Sequence, residues 1–310
     1  MRLLPLLSTA LLALLTPPTT ADLPKSQRFD LTKPSHDFFR SKPLHDNRVQ
    51  QSFAFDNTNG HLFVAQLQDG TDDSSGDLCI TRMDLSGDKV SHMHLNGFGH
   101  GVSFGAQAVG SETYLWTEVE ANGNGYGKKL ARFQWEDGKT LSQSSDALKK
   151  YVVVEGATEH TASIDPVSNR LIVRYNKSGK YIAAYDLDAA SEGDFSNPLV
   201  NFKQPALSGF KSDVFQGYAV YGSYMYVLTG TSYDSNGGKV DSEVASIDMN
   251  SGEIVQGPTL TKAGESLSFR EPEGMAVYRT GDGEVRLFLG FASGDSGGRR
   301  SNLFYKNVLV

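Results

Sequence analysis

Among its 310 residues this chain has a single cysteine, Cys79. No disulfide can form within it, so stability must come from a large core. Cys79 itself lies inside an apolar, strand-like run and reads as a small buried hydrophobe rather than a reactive thiol. Positive charge is also short, with 29 Lys and Arg against 36 Asp and Glu for a net −7. No basic cluster offsets that balance, which argues against duplex nucleic acid or an anionic membrane as a partner. After residue 21 no apolar run approaches the length of a membrane-spanning helix. There is no His-Glu-X-X-His zinc motif and no phosphate-binding loop. Residues 122–127, Asn-Gly-Asn-Gly-Tyr-Gly, have the composition of a flexible loop.

The first 21 residues read as a secretory signal. Arg2 supplies the positive start, residues 3–15 the apolar stretch, and Thr19, Thr20 and Ala21 a small-residue cleavage site. The reading makes the protein secreted and extracellular, with one domain over residues 22–310. Removing Arg2 with the signal takes the net charge from −7 to −8. One glycosylation sequon, Asn176-Lys177-Ser178, follows a strand-like run.

What the chain does contain is one pattern written five times: QSFAFD at 51–56, HGVSFG at 100–105, HTASID at 160–165, QGYAVY at 216–221 and EGMAVY at 273–278. Each has a polar residue, a small or hydroxyl residue, then alternating apolar positions. The leading residues are 49, 60, 56 and 57 apart (100−51, 160−100, 216−160 and 273−216). Repeats of this length indicate a radial array. A second apolar run follows each, at 61–67, 113–119, 170–175, 224–229 and 285–290. A third follows at 78–83, 129–134, 181–186, 243–248 and 303–308. Turns rich in Gly, Asn and Asp come next, at 86–88, 136–138 and 250–252. Fourth strands are expected at 90–95, 151–154, 199–203 and 254–260.

Four antiparallel strands per repeat make a propeller blade. The expected fold is therefore all-β, a five-bladed β-propeller. The fifth repeat ends after its third strand, so an N-terminal strand must complete the last blade, and residues 27–32 are the expected candidate. Closure of this kind removes exposed sheet edges.

The stretches VQQSFAFD at 49–56, GHGVSFG at 99–105 and YLWTE at 114–118 resemble a family of secreted β-propellers. Its members are labelled teichoic acid biosynthesis protein C-like and include phage receptor-binding propellers. The resemblance runs from about Phe29 to the C-terminus. It implies a propeller that meets cell-surface polymers, and wall glycans in the phage case.

In a radial array Gln51, His100, His160, Gln216 and Glu273 converge at the mouth of the central channel. Two imidazoles, two amides and one carboxylate suit three uses. They form a ligand set for one divalent ion, Ca²⁺, Mn²⁺ or Zn²⁺, or a polar collar around ordered water. They also suit acid–base work, with His100, His160 and Glu273 as the catalytic groups. Gln51, Gln216, Arg174 and Arg270 are then the expected substrate contacts, an Arg gripping a carboxylate or phosphate. The plainer reading of Arg270 is a surface ion pair with Glu271. Phe98, Phe104, Phe215 and Tyr218 either stack on sugar rings or pack between blades.

Three functions follow: a lyase of uronate-containing polysaccharides, a non-catalytic glycan binder, or a partner-binding propeller. The partner is accordingly an extracellular glycan or small-molecule ligand of a monomeric protein.

Overall fold

In a computed structural model, which describes residues 22–310, the alternating runs form five sheets around one axis, four of them four-stranded and one five-stranded. The signal-peptide reading falls on residues 1–21 and lies outside the described residues. The chain opens with β1 (His36–Pro43). Blade one follows as β2 (Gln50–Asp56), β3 (His61–Leu67), β4 (Leu78–Met83) and β5 (Lys89–Asn96). Blade two is β6 (Gly105–Val109), β7 (Glu112–Ala121) and β8 (Gly127–Gln134). A detour, β9 (Thr140–Ser142), precedes its outer strand β10 (Lys149–Tyr151).

Blade three is β11 (Thr158–Asp165), β12 (Arg170–Asn176) and β13 (Lys180–Asp186), then a short helix α1 (Leu187–Ser191) and β14 (Val200–Lys203). Blade four is β15 (Phe215–Tyr221), β16 (Tyr224–Thr229), one helical turn α2 (Tyr233–Asn236), β17 (Glu243–Asp248) and β18 (Glu253–Leu260). Blade five supplies β19 (Glu271–Arg279), β20 (Val285–Ser293) and β21 (Arg300–Lys306).

Both faces of the middle strands are apolar, and the two-residue period of a strand sends successive side chains to opposite neighbours. Leu62 and Val64 pack toward blade five, whereas Phe63 and Ala65 pack toward blade two. Met225 and Val227 face blade three while Tyr226 and Leu228 face blade five. Five hydrophobic clusters result, one in each interblade gap. Cys79 is free and buried within blade one, as its surroundings in the sequence indicate. A fully buried Phe or Leu contributes roughly 1.5–3 kcal/mol, so these gaps supply the cohesion that disulfides would otherwise provide.

The ring is closed by an N-terminal strand, but not the expected one. β1 pairs antiparallel with β21 and becomes the fourth strand of blade five. Charged residues on its exposed face and irregular pairing hide the alternation of β1 in the sequence. Residues 27–32 instead run along the chain's end, where Phe29 bridges Leu309. The Phe29 ring is buried with Tyr226, Leu289 and Phe304, between blades four and five, and its N–H donates to Tyr226 Oη at 2.8 Å. A second departure is β9, which leaves blade two and adds in parallel to β5 of blade one.

The first strands β2, β6, β11, β15 and β19 are the innermost, and each touches the next around the axis. Four of them bulge at the repeated polar position, with one more residue than the facing second strand: at Gln51, Glu159–His160, Gln216 and Glu273–Gly274. A bulge re-aims a side chain, here at the end of the strand that opens on the channel. The small residue that follows exists because backbones meet there. A Cβ on Gly274 would lie 2.7 Å from Ser52 Cα, and one on Gly217 2.9 Å from Gly274 Cα.

Gly274→Ala is therefore expected to destabilise the fold by more than Gly60→Ala. Both have left-handed backbone (φ +86 and +69), but nothing lies within 4 Å of a Cβ at Gly60. The backbone strain common to both is about 1–2 kcal/mol, and crowding adds about 1–3 kcal/mol at Gly274. Urea midpoints of the two variants measure the difference.

Candidate functional site

Four of the five repeated polar residues open on one cavity of about 680 Å³ at the axial mouth: Gln51, His100, Gln216 and Glu273. Blade one adds Asn47, Arg48, Asp69 and Asp73, blade two Tyr126, blade four Phe215, and blade five Glu271 and Arg299. Gln51 (9% exposed) and Glu273 (6%) are largely enclosed. Gln216 Nε2 donates to the Gly230 carbonyl at 2.9 Å, leaving its Oε1 to the cavity.

Among the described residues, no hydrogen bond uses the Gln51 amide, the His100 ring or the Glu273 carboxyl. Burial, reinforced by Glu271, holds the Glu273 carboxyl well above the usual carboxylate range. It is therefore poised to be a hydrogen-bond donor. Glu271 is pushed up as well, mainly by burial, with Arg299 acting in the opposite direction.

His100 is placed differently from the other repeat residues, because β6 begins only at Gly105. The residue lies on the approach to the strand, stacked on Tyr126 with centroids 5.2 Å apart. Burial lowers its basicity, Asp73 opposes that shift and Arg48 adds to it. This approach is anchored by Glu118, fully buried at the mouth end of β7. One oxygen accepts the Gly101 N–H at 2.8 Å, the other the Gly127 N–H at 2.5 Å. One carboxylate thus positions both His100 and the loop that carries Tyr126. Burial raises the Glu118 pKa to about 7.

His160 does not reach the cavity. In blade three the left-handed residue is Glu159 (φ 55), before the repeat position. In blades two, four and five it is the glycine after it: Gly101, Gly217 and Gly274. Kinking the backbone before rather than after the repeat residue re-aims the His160 side chain, which is buried away from the mouth. His160 is 0% exposed, lies beside Tyr175, and has no hydrogen bond on either ring nitrogen. Burial lowers its pKa to about 4. The expected metal set is thereby reduced to His100, Gln51, Gln216 and Glu273, and the expected pair of titrating imidazoles to one.

Neither arginine opens on the cavity. Arg270 is fully buried, and its guanidinium donates to the Thr261 and Ala263 carbonyls and to Ser242 Oγ at 2.8–3.0 Å. It makes no ion pair with Glu271; its role is to hold residues 261–263 in place. Arg174 lies over the Phe215 ring at 3.8 Å and donates to Gln204 Oε1 at 2.7 Å. It backs a wall of the cavity from blade three. Of the four aromatics, Phe98, Phe104 and Tyr218 pack in the core, and Phe215 alone lines the site. Ser103, in a Gly-X-Ser-X-Gly run at 101–105, is buried and donates to the Ala162 carbonyl at 2.8 Å. It ties blade two to blade three and lacks the exposure of a nucleophile.

A five-bladed wheel of this kind has its counterpart in a known family. The model described as the phage 5-bladed beta propeller receptor binding platform domain matches residues 49–305. The chain belongs to that family.

Within and around this receptor-binding-platform family, two relatives stand out. The Bacillus subtilis (strain 168) major teichoic acid biosynthesis protein C is 26% identical over 301 residues, 92% of this chain and 66% of that protein. The tail fiber of Staphylococcus aureus phage P68 superposes with TM-score 0.69 at 21% identity, over 88% of this chain and 52% of the fiber. The chain thus spans about two thirds of the curated relative and about half of the fiber. The GH43_1 enzyme from Xanthomonas citri shares the fold alone, with TM-score 0.51 at 10% identity over 86% of this chain and 89% of that one.

Arg48, Asp69, Asp73, Tyr126 and Arg299 escape a repeat-based reading because they come from linkers and loops without a counterpart in other blades. Their only signal is placement beside strand ends on the mouth side.

The burial of His160 has a measurable consequence. The unfolded chain takes up a proton near the ordinary 6.5, the folded one only near 4. Stability from this residue is complete above about pH 6.5 and is lost as pH falls toward 4, by about 3 kcal/mol. His160→Gln, which copies the residue of blades one and four, is expected to remove that acid-side loss. Urea unfolding of both proteins at pH 7 and pH 4.5 measures it.

Proposed function

We propose that this propeller is a non-catalytic receptor-binding platform that holds sugar units of a cell-surface or extracellular glycan in the axial cavity. The observation that carries the reading is the set of unspent hydrogen-bonding groups at one enclosed mouth: the Gln51 amide, Gln216 Oε1, the His100 ring and the Glu273 carboxyl. Sugar hydroxyls both donate and accept, and amides with a protonated carboxyl answer both roles. Tyr126 and Phe215 flank the set with ring surface suited to sugar faces. The family description and the relatives named for teichoic acid biosynthesis and a phage tail fiber support the same chemistry. An extracellular location accords with it.

The lyase reading now depends on His100 and Glu273 alone, since His160 and Arg270 are sealed in the core. The arginines that do line the cavity are engaged elsewhere: Arg48 pairs with Asp73, and Arg299 donates to the Gly294 carbonyl. A divalent cation enters only as an accessory at Glu273, whose buried carboxyl has no cationic partner among the described residues. Dialysis against a chelator tests that accessory role, and unchanged affinity removes the ion from the site.

Titration of the purified protein with wall and capsular glycans should give saturable binding without product. Gln51→Ala, His100→Ala and Glu273→Gln should each weaken it roughly fivefold, the worth of one net hydrogen bond of about 1 kcal/mol, while circular dichroism stays unchanged. Full affinity in all three variants would place the ligand elsewhere. Release of an unsaturated sugar that stops in His100→Ala would make the protein a lyase.

A further inference from the structure

Three of the chain's seven histidines meet outside the axial cavity, on the β5 side of blade one. His92 and His94 stand two apart on β5, on the face opposite buried Met93 and Leu95. His45 comes from the linker between β1 and β2. One ring nitrogen from each of the three lies within 4.8 Å of the others. His45 and His92 stack with centroids 3.4 Å apart and planes 10° apart, and His94 meets His92 edge-on at 5.1 Å. His45 is exposed and the other two are half-buried, so solvent ions reach all three.

Main-chain bonds hold the group in place. The His45 N–H donates to Thr81 Oγ1 at 3.0 Å, the His94 N–H to the Lys139 carbonyl at 3.1 Å, and the His92 carbonyl accepts the Gly138 N–H at 2.8 Å. Among the described residues no ring nitrogen of the three is spent on a hydrogen bond. Asp46 lies next in the chain to His45. It is buried against Cys79 and His94 and accepts the Asp69 N–H at 2.8 Å.

From this arrangement we infer a second site: His45, His92 and His94 bind one borderline divalent transition-metal ion, of the zinc, cobalt, nickel or copper class. Three imidazole nitrogens select that class over calcium or magnesium, which take oxygen ligands. The fourth position faces solvent and is left to water. Asp46 places a carboxyl beside His94, near enough to accept from its ring once the ion is bound.

Stacked rings aim their lone pairs into parallel planes, whereas metal–nitrogen bonds of about 2.0–2.1 Å need a common point. His45, the exposed member, therefore turns about its side-chain torsions, while His92 and His94 keep their strand positions. Because His45 lies two residues past the end of the closing strand β1, the ion ties the closure segment to β5 of blade one. Binding then raises the unfolding temperature.

The test is equilibrium dialysis of the untagged chain against Zn²⁺ and Co²⁺, with Ca²⁺ as control. The expected result is one Zn²⁺ or Co²⁺ per chain, a melting point several degrees higher, and no Ca²⁺. His45→Asn and His92→Asn should each weaken binding at least about tenfold, with metal-free melting points unchanged to confirm folding. A stoichiometry of zero, or undiminished binding in both variants, overturns the assignment. So does a thiolate-to-cobalt charge-transfer band that disappears in Cys79→Ser, which would move the ion to Asp46, Cys79 and His94 in the interior.

Discussion

Five strands cannot meet around an axis unless their backbones nearly touch, and that crowding governs the rest of the molecule. A side chain is sterically excluded at Gly217 and Gly274, where the next blade's main chain occupies the place of a Cβ. Where blades one and three carry Ser52 and Thr161 instead, neighbouring groups bind across the gap. Ser52 Oγ donates to the Gly101 carbonyl, and Tyr218 Oη lies 3.0 Å from the Thr161 carbonyl. In four of the five blades the polar residue just before this ring of contact sits on a bulge. The mouth of the channel is polar because the axis below it is too narrow for anything but backbone and small side chains.

The repeat made this architecture legible. Apolar alternation on both faces announces strands that serve two interblade cores, and five recurrences of a polar–small pair mark five first strands. Closure by an N-terminal strand was also readable, from the missing fourth strand of the last repeat. Which segment closes was not, because β1 has charged residues on its exposed face and pairs irregularly, while residues 27–32 alternate well yet serve as a plug between blades four and five. The candidate site was legible where repeat and geometry agree, at Gln51, Gln216 and Glu273. It failed at His160, where the left-handed residue, Glu159, precedes the repeat position instead of following it and the side chain is turned into the core. Arg270 shows the same limit: a guanidinium next to two carboxylates in sequence is spent on main-chain carbonyls in space.

Two buried ionisable groups set opposing demands on the mouth. Glu118 holds the His100 approach through the Gly101 and Gly127 amides; with its pKa raised by burial to about 7, its contribution to stability is present below the ordinary 4.5 and is lost as pH rises toward 7. His160 resists the acid side. The two windows overlap with opposite sign, so their effects largely offset each other, and Glu273 stays protonated well above the ordinary carboxylate range. A hydrogen-bonding collar with a neutral carboxyl suits uncharged hydroxyl-rich ligands better than cationic ones.

The pairing of β1 with β21 joins the two ends of the chain. On a ribosome the first strand of the wheel emerges about 260 residues ahead of its partner (300−43 = 257). It must wait unpaired while four blades assemble, since chains fold N-terminal part first. Such distant closure makes late folding slow. It also makes this seam, rather than any blade, the place where a nascent or heated molecule is open to strand exchange with a second copy.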